Sequence, residues 1–137
     1  MPLNAQQPQN TGSGGEEVSK IILAVDDIPV QLNMLKLALA NTPYKFTGVS
    51  SADAALNFIS RFNPSLFILD IEMPKMNGYE LAEKIREAGH SAPIIFLTGN
   101  ATKEHVIKAK KVGAVDFLVK PLNNVNLLLE KVKHYLG

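Results

Sequence analysis

Cysteine is absent from the 137-residue chain. That excludes disulfides and thiol catalysis, and it suits a reducing compartment. An excess of either charge is missing too. Lysine and arginine number 14 against 13 acids, a net +1, so the basic balance of a nucleic-acid-binding domain is not there and no direct nucleic-acid contact is expected. No apolar run approaches the ~20 residues that cross a bilayer, and the N-terminus lacks a signal peptide's apolar segment. The chain reads as soluble and cytoplasmic, without membrane contact. What it does have is 46% hydrophobic residues, enough for one core but not two.

Residues 1–18 are Gln, Asn, Pro, Gly, Ser and Thr in the main, with Gly12-Ser13-Gly14-Gly15 among them. Such a stretch buries too little surface to order itself and reads as a flexible tail. The folded domain is expected over residues 19–137.

There the pattern alternates. Ile21 to Val25 reads as a buried strand ending at Asp26-Asp27. Pro29 suits a first helical turn, with Ile28, Leu32, Leu35 and Leu39 on one apolar face. Lys45 to Val49 is a second strand. Ser51 caps a helix that turns Ala52, Ala55, Leu56 and Ile59 inward. Leu66 to Leu69 is too short for a helix and runs into Asp70, with Pro74 barring further sheet. Asn77 and Glu80 have capping-box spacing ahead of Leu81, Ile85 and Ala88. A fourth strand, Ile94 to Leu97, ends at Thr98-Gly99. A helix over Thr102 to Val112 follows, then a fifth strand, Val115 to Val119, ending at Lys120-Pro121. The last helix, from about Asn124 to Leu136, buries Val125, Leu128, Leu129, Val132 and Leu136.

Five strands alternating with five helices predict an α/β fold: a doubly wound parallel sheet with helices on both faces, flavodoxin-like, in the order 2-1-3-4-5. In that order strands 1 and 3 are neighbours at the point where the winding reverses. Ligands in such sheets sit at the carboxyl ends of the strands, so Asp26, Asp27, Asp70, Thr98 and Lys120 should share one edge. Three crowded carboxylates repel one another and need positive charge nearby. Lys120 is one source and a divalent cation the other. An all-oxygen set without Cys or a nearby His suits Mg²⁺ or Mn²⁺ rather than zinc. Mg²⁺ keeps waters and often shares a phosphate oxygen, which leaves room for a phosphoryl group that Asp70 attacks as nucleophile, that Lys120 neutralises, and to which Thr98 donates its hydroxyl.

Asp26-Asp27, Asp70 with Met73-Pro74, Thr98 and Lys120-Pro121, in this order at these strand ends, resemble the receiver domain of response regulators in two-component phosphorelays. The resemblance spans about Lys20 to Leu136. It implies that Asp70 accepts phosphate from a histidine kinase or histidine phosphotransfer protein, by self-catalysed transfer with slow autodephosphorylation rather than by turning over a substrate. It implies that Asp27 binds the metal directly, Asp26 largely through water, and Glu72 through its backbone carbonyl. Lys120 pairs with the phosphoryl group, and its bond to Pro121 falls where the family has a cis peptide. Thr98 matches the switch hydroxyl and Phe117 the aromatic that turns inward on activation. Glu72 and Asn100 fall at positions that tune phosphoryl lifetime. The first helix, around Val30 to Met34, is implied as the kinase-docking element, and the face of helix 4, strand 5 and helix 5 as the one that repacks or forms a homodimer.

Three rival readings fit less well. An aspartyl-phosphate phosphatase wants an acid two residues after its nucleophile, as Glu72 is, but has no use for Asp26-Asp27. A phosphorylation-independent protein-binding module leaves the whole acidic set unexplained. A nucleotide or flavin binder would need a phosphate-cradling loop after the first strand, where Asp-Asp repels phosphate. Lys103, Lys108, Lys110 and Lys111 read as a solvated helix face, His90, His105 and His134 as surface residues, and Phe58, Phe62 and Phe67 as core.

Overall fold

A computed structural model describes residues 19–137; the tail reading of residues 1–18 lies outside them. Ten elements alternate: β1 (Ile21–Val25), α1 (Pro29–Ala38), β2 (Lys45–Val49), α2 (Ala52–Ile59), β3 (Leu66–Asp70), α3 (Gly78–Glu87), β4 (Ile94–Thr98), α4 (Lys103–Lys111), β5 (Asp116–Val119) and α5 (Val125–Leu136). The strands pair in parallel in the order β2-β1-β3-β4-β5, as the alternation predicts.

Strand side chains point alternately to the two faces, and this divides the core. Leu23, Val25, Phe67, Leu69 and Phe96 pack with α2, α3 and α4. Ile22, Ala24, Leu66, Ile68, Ile95 and Leu97 pack with α1 and α5. β1, β3 and β4 are covered on both sides, so they read as unbroken apolar runs rather than alternating ones.

Side chains close the starts of α2, α3 and α5. The Ser51 hydroxyl accepts from Ala54 N–H at 3.1 Å, the Asn124 amide oxygen from Leu127 N–H at 3.0 Å, and Asn77 and Glu80 form a reciprocal capping box. Each satisfies a backbone donor that the first helical turn leaves orphaned.

Several packing expectations fail at element ends. Ile28 is exposed and stands before the first turn of α1 as its N-cap. Val125 opens α5 in solvent, Ala88 is an exposed C-cap, and Val115 is exposed just before β5. Phe62 is exposed as well, stacking on Phe58 at 4.7 Å. Periodicity identifies a face, but a terminal residue can splay off that face without cost to the helix.

Candidate phosphoryl-acceptor site

Register brings the expected residues together. Val25 pairs with Leu69, Asp70 with Leu97, and Thr98 with Val119. Asp26 and Asp27 leave the end of β1, Asp70 is the last residue of β3, Thr98 the last of β4, and Lys120 follows β5. All five lie at the carboxyl edge of the sheet.

Asp26, Asp70 and Thr98 are fully buried; Asp27 is partly exposed and Glu72 exposed. Lys120 Nζ donates to Asp70 Oδ1 at 2.9 Å and lies 3.2 Å from Asp26 Oδ2. The second contact is an ion pair without hydrogen-bond angles, so Asp26 Oδ2 and Asp70 Oδ2 are both buried with no hydrogen-bond partner. Asp26 Oδ1 accepts Ile28 N–H at 3.0 Å, which aims its other oxygen into the site. One carboxylate oxygen from each of Asp26, Asp27 and Asp70 lies within 4.8 Å of the others.

One ammonium does not balance this charge. Burial is the largest effect on Asp70 and, with Asp26 and Glu72 nearby, raises its pKa to about 6 against the opposing pull of Lys120. Lys120 is held above the ordinary lysine value: burial works against its charge, and its hydrogen bond to Asp70 with the field of Asp26 more than offsets that. Unpartnered buried carboxylate oxygens on an all-oxygen donor set are what a hard divalent cation requires, so the residues present fit Mg²⁺ or Mn²⁺. Glu72 lies outside the cluster of three, with its Oε2 3.3 Å from Thr98 Oγ1.

The Lys120-Pro121 peptide is cis. Phe117 is half-buried beside Phe96, ring centres 6.2 Å apart. A methyl group placed on Gly99 would meet nothing within 4 Å, so the open space there does not depend on glycine.

Sequence reasoning missed three residues. A Cβ on Gly78 would sit 2.4 Å from the carbonyl oxygen of Asp70, and Gly78 N–H donates to Ile71 O at 3.0 Å. The helix therefore starts directly against the strand tip that carries Asp70. A glycine in a first helical turn is unfavourable, and that was the available signal. His105, read as a surface residue, is half-buried with Nδ1 2.6 Å from Asn100 O and 3.4 Å from Thr98 Oγ1. His90, read the same way, bridges Ile59 O at 3.0 Å and Asn63 Oδ1 at 3.1 Å and meets Phe67 edge-on. Nothing local in the sequence marks either histidine, because their partners lie on other elements.

Among known proteins, the family model for the response regulator receiver domain matches residues 22–133. The response regulator protein TmoT of Ectopseudomonas mendocina is 35% identical over 108 residues, 79% of this chain and 49% of that protein. The regulator of RpoS of Escherichia coli K12 is 36% identical over 117 residues, 84% of this chain and 34% of that protein. The chain thus spans half or less of the length of these relatives. The chemotaxis protein CheY4 of Vibrio cholerae superposes with a TM-score of 0.82 at 29% identity, covering 87% of this chain and all of that one. No helix among the described residues is long and apolar enough to cross a membrane.

Proposed function

The chain belongs to the response regulator receiver domain family, and from that premise we propose that Asp70 is the phosphoryl acceptor of a two-component switch. The observation that carries the reading is the pairing of Asp70 Oδ1 with Lys120 while Asp70 Oδ2 is buried and unpartnered. Lys120 fixes the carboxylate at the strand tip through one oxygen and leaves the group with an acceptor free of any hydrogen bond, so the carboxylate can serve as both cation ligand and nucleophile. On transfer from a phosphohistidine, a carboxylate oxygen of Asp70 bonds to phosphorus, the P–N bond breaks, and the released imidazole nitrogen takes up a proton. A histidine kinase or histidine phosphotransfer protein is the donor.

Asp26, Asp27 and Asp70 would hold Mg²⁺, with the Glu72 backbone carbonyl as a further ligand. The bound cation supplies positive charge to the transferring phosphoryl oxygens. Lys120 stays beside Asp70 throughout and balances the charge that Mg²⁺ does not. An acyl phosphate adds roughly −1.5 to −2 charges and three strong acceptors at this buried tip. Thr98 turns its hydroxyl toward them, and Phe117 moves into the space released. The face of α4, β5 and α5 repacks as one of two packings gains population. Ile107, Val115, Val119 and Leu127 on that face are exposed apolar residues, which supports pairing of two copies there after phosphorylation.

The donor's docking surface is α1. Val30, Met34 and Leu37 are exposed along it, and an apolar cleft lined by Met34, Leu37, Leu122, Val125 and Leu128 separates it from α5. Such a cleft accepts a helix by its apolar face.

Incubation with acetyl phosphate and Mg²⁺, followed by intact mass, tests the reading. A stable mass gain of one phosphoryl group is expected. Continuous hydrolysis of the donor without accumulation would instead indicate a phosphatase, and neither outcome a binding module.

A further inference from the structure

We propose that His105, in the first turn of α4, is a positioning residue that latches the Thr98 hydroxyl to the β4–α4 loop and so holds the unphosphorylated packing. The inference rests on the phosphoacceptor reading above and adds to it a residue that sets the resting position of the switch.

A carbonyl oxygen cannot donate, so the 2.6 Å contact between His105 Nδ1 and Asn100 O places a proton on Nδ1. Asn100 O also accepts from the Thr98 hydroxyl at 3.1 Å, and Thr98 Oγ1 accepts Asn100 N–H at 3.1 Å. Thr98 therefore donates to and accepts from one residue, and His105 fixes that residue's carbonyl. The only other acceptor near the hydroxyl among the described residues is Glu72 Oε2 at 3.3 Å. Rotation of Thr98 toward a phosphoryl group on Asp70 has to break the bond to Asn100 O.

The backbone of His105 is anchored from the N-cap of its own helix and from α3. His105 N–H donates to the capping hydroxyl of Thr102 at 3.2 Å. The Tyr79 hydroxyl of α3 donates to His105 O at 3.4 Å, and the two rings lie 6.1 Å apart. Tyr79 in turn packs edge-on against Phe96 of β4 at 5.1 Å. With its backbone fixed on both sides and its ring beside Tyr79, His105 can restrain the loop through Nδ1. Both the Nδ1–H tautomer and the imidazolium supply the donor, so the latch is not a pH switch.

Two variants test this. His105→Phe keeps a ring against Tyr79 and removes the donor; His105→Asn places an amide N–H close to the Nδ1 position. Vicinal couplings of the Thr98 side chain report its rotamer without phosphorylation, and acetyl phosphate with Mg²⁺ gives the phosphorylation rate. In wild type and His105→Asn, Thr98 is expected in one rotamer. In His105→Phe it averages, and phosphorylation is faster by about fivefold, the Boltzmann weight of one ordinary hydrogen bond. A single unchanged rotamer in His105→Phe would overturn the latch even if wild type takes up phosphate normally. A rotamer that responds as expected in a protein that takes up no phosphate would uphold the latch and refute the phosphoacceptor reading.

Discussion

Replacing Asp70 by Asn should stabilise the metal-free domain at neutral pH, although it destroys the proposed acceptor. Asp70 is fully buried, and its pKa rises from 3.8 to about 6 on folding. A carboxylate raised in this direction costs the fold nothing below pH 3.8, progressively more as the pH rises, and its full amount above pH 6. That gap corresponds to up to about 3 kcal/mol. Asn resembles the neutral acid in shape and lacks the charge, so the variant escapes the cost. For a domain of this size the gain corresponds to an upward shift in Tm of roughly 10 °C. Thermal melts by circular dichroism in EDTA at pH 7.5 and pH 4.5 measure it: the full gain at the higher pH and roughly a third of it at the lower. Saturating Mg²⁺ at pH 7.5 should narrow the difference by stabilising wild type alone. A variant that melts at or below wild type in EDTA at pH 7.5, or a gain equal at both pH values, would refute the electrostatic account of the site.

Lys120→Met should destabilise the domain by about 3 kcal/mol in EDTA, because it strands Asp26 and Asp70 without their shared cation; urea denaturation measures this. Wild type should gain about 2.7 kcal/mol at Mg²⁺ one hundredfold above its Kd, and Asp27→Ala should lose most of that gain in parallel melts. Gly78→Ala forces a Cβ against the Asp70 carbonyl and should cost about 2 kcal/mol, with the amide resonances of Asp70 and Ile71 shifted. Arg86 donates to the carbonyls of His90, Ala92, Val112 and Gly113, tying the end of α3 to that of α4. Arg86→Ala should cost about 3 kcal/mol, and Arg86→Lys should recover less than half, since one ammonium cannot span the four acceptors.

The five βα units were legible because β1, β3 and β4 are buried on both faces and appear as uninterrupted apolar runs punctuated by Pro, Gly and capping residues. Their order made the strand tips converge, and with them Asp26, Asp27, Asp70, Thr98 and Lys120. The helix ends were less legible. Ile28 and Val125 fit the apolar period and still lie in solvent, because the starts of α1 and α5 are not pressed against the sheet. His105, His90 and Gly78 escaped for a different reason. Each acts through a backbone oxygen: Ile59 O and Asp70 O on other elements, and Asn100 O in the loop that folds back over the start of α4. Side-chain chemistry leaves a pattern along a sequence, whereas the approach of one backbone to another leaves almost none.

Reductive trapping tests the central claim most directly. After reaction with acetyl phosphate and Mg²⁺, borohydride converts an aspartyl phosphate to homoserine, and fragment masses locate it. Homoserine at position 70 alone, and none in Asp70→Asn, is the result predicted here. Homoserine at another position, or a phosphoryl group that survives in Asp70→Asn, would contradict it.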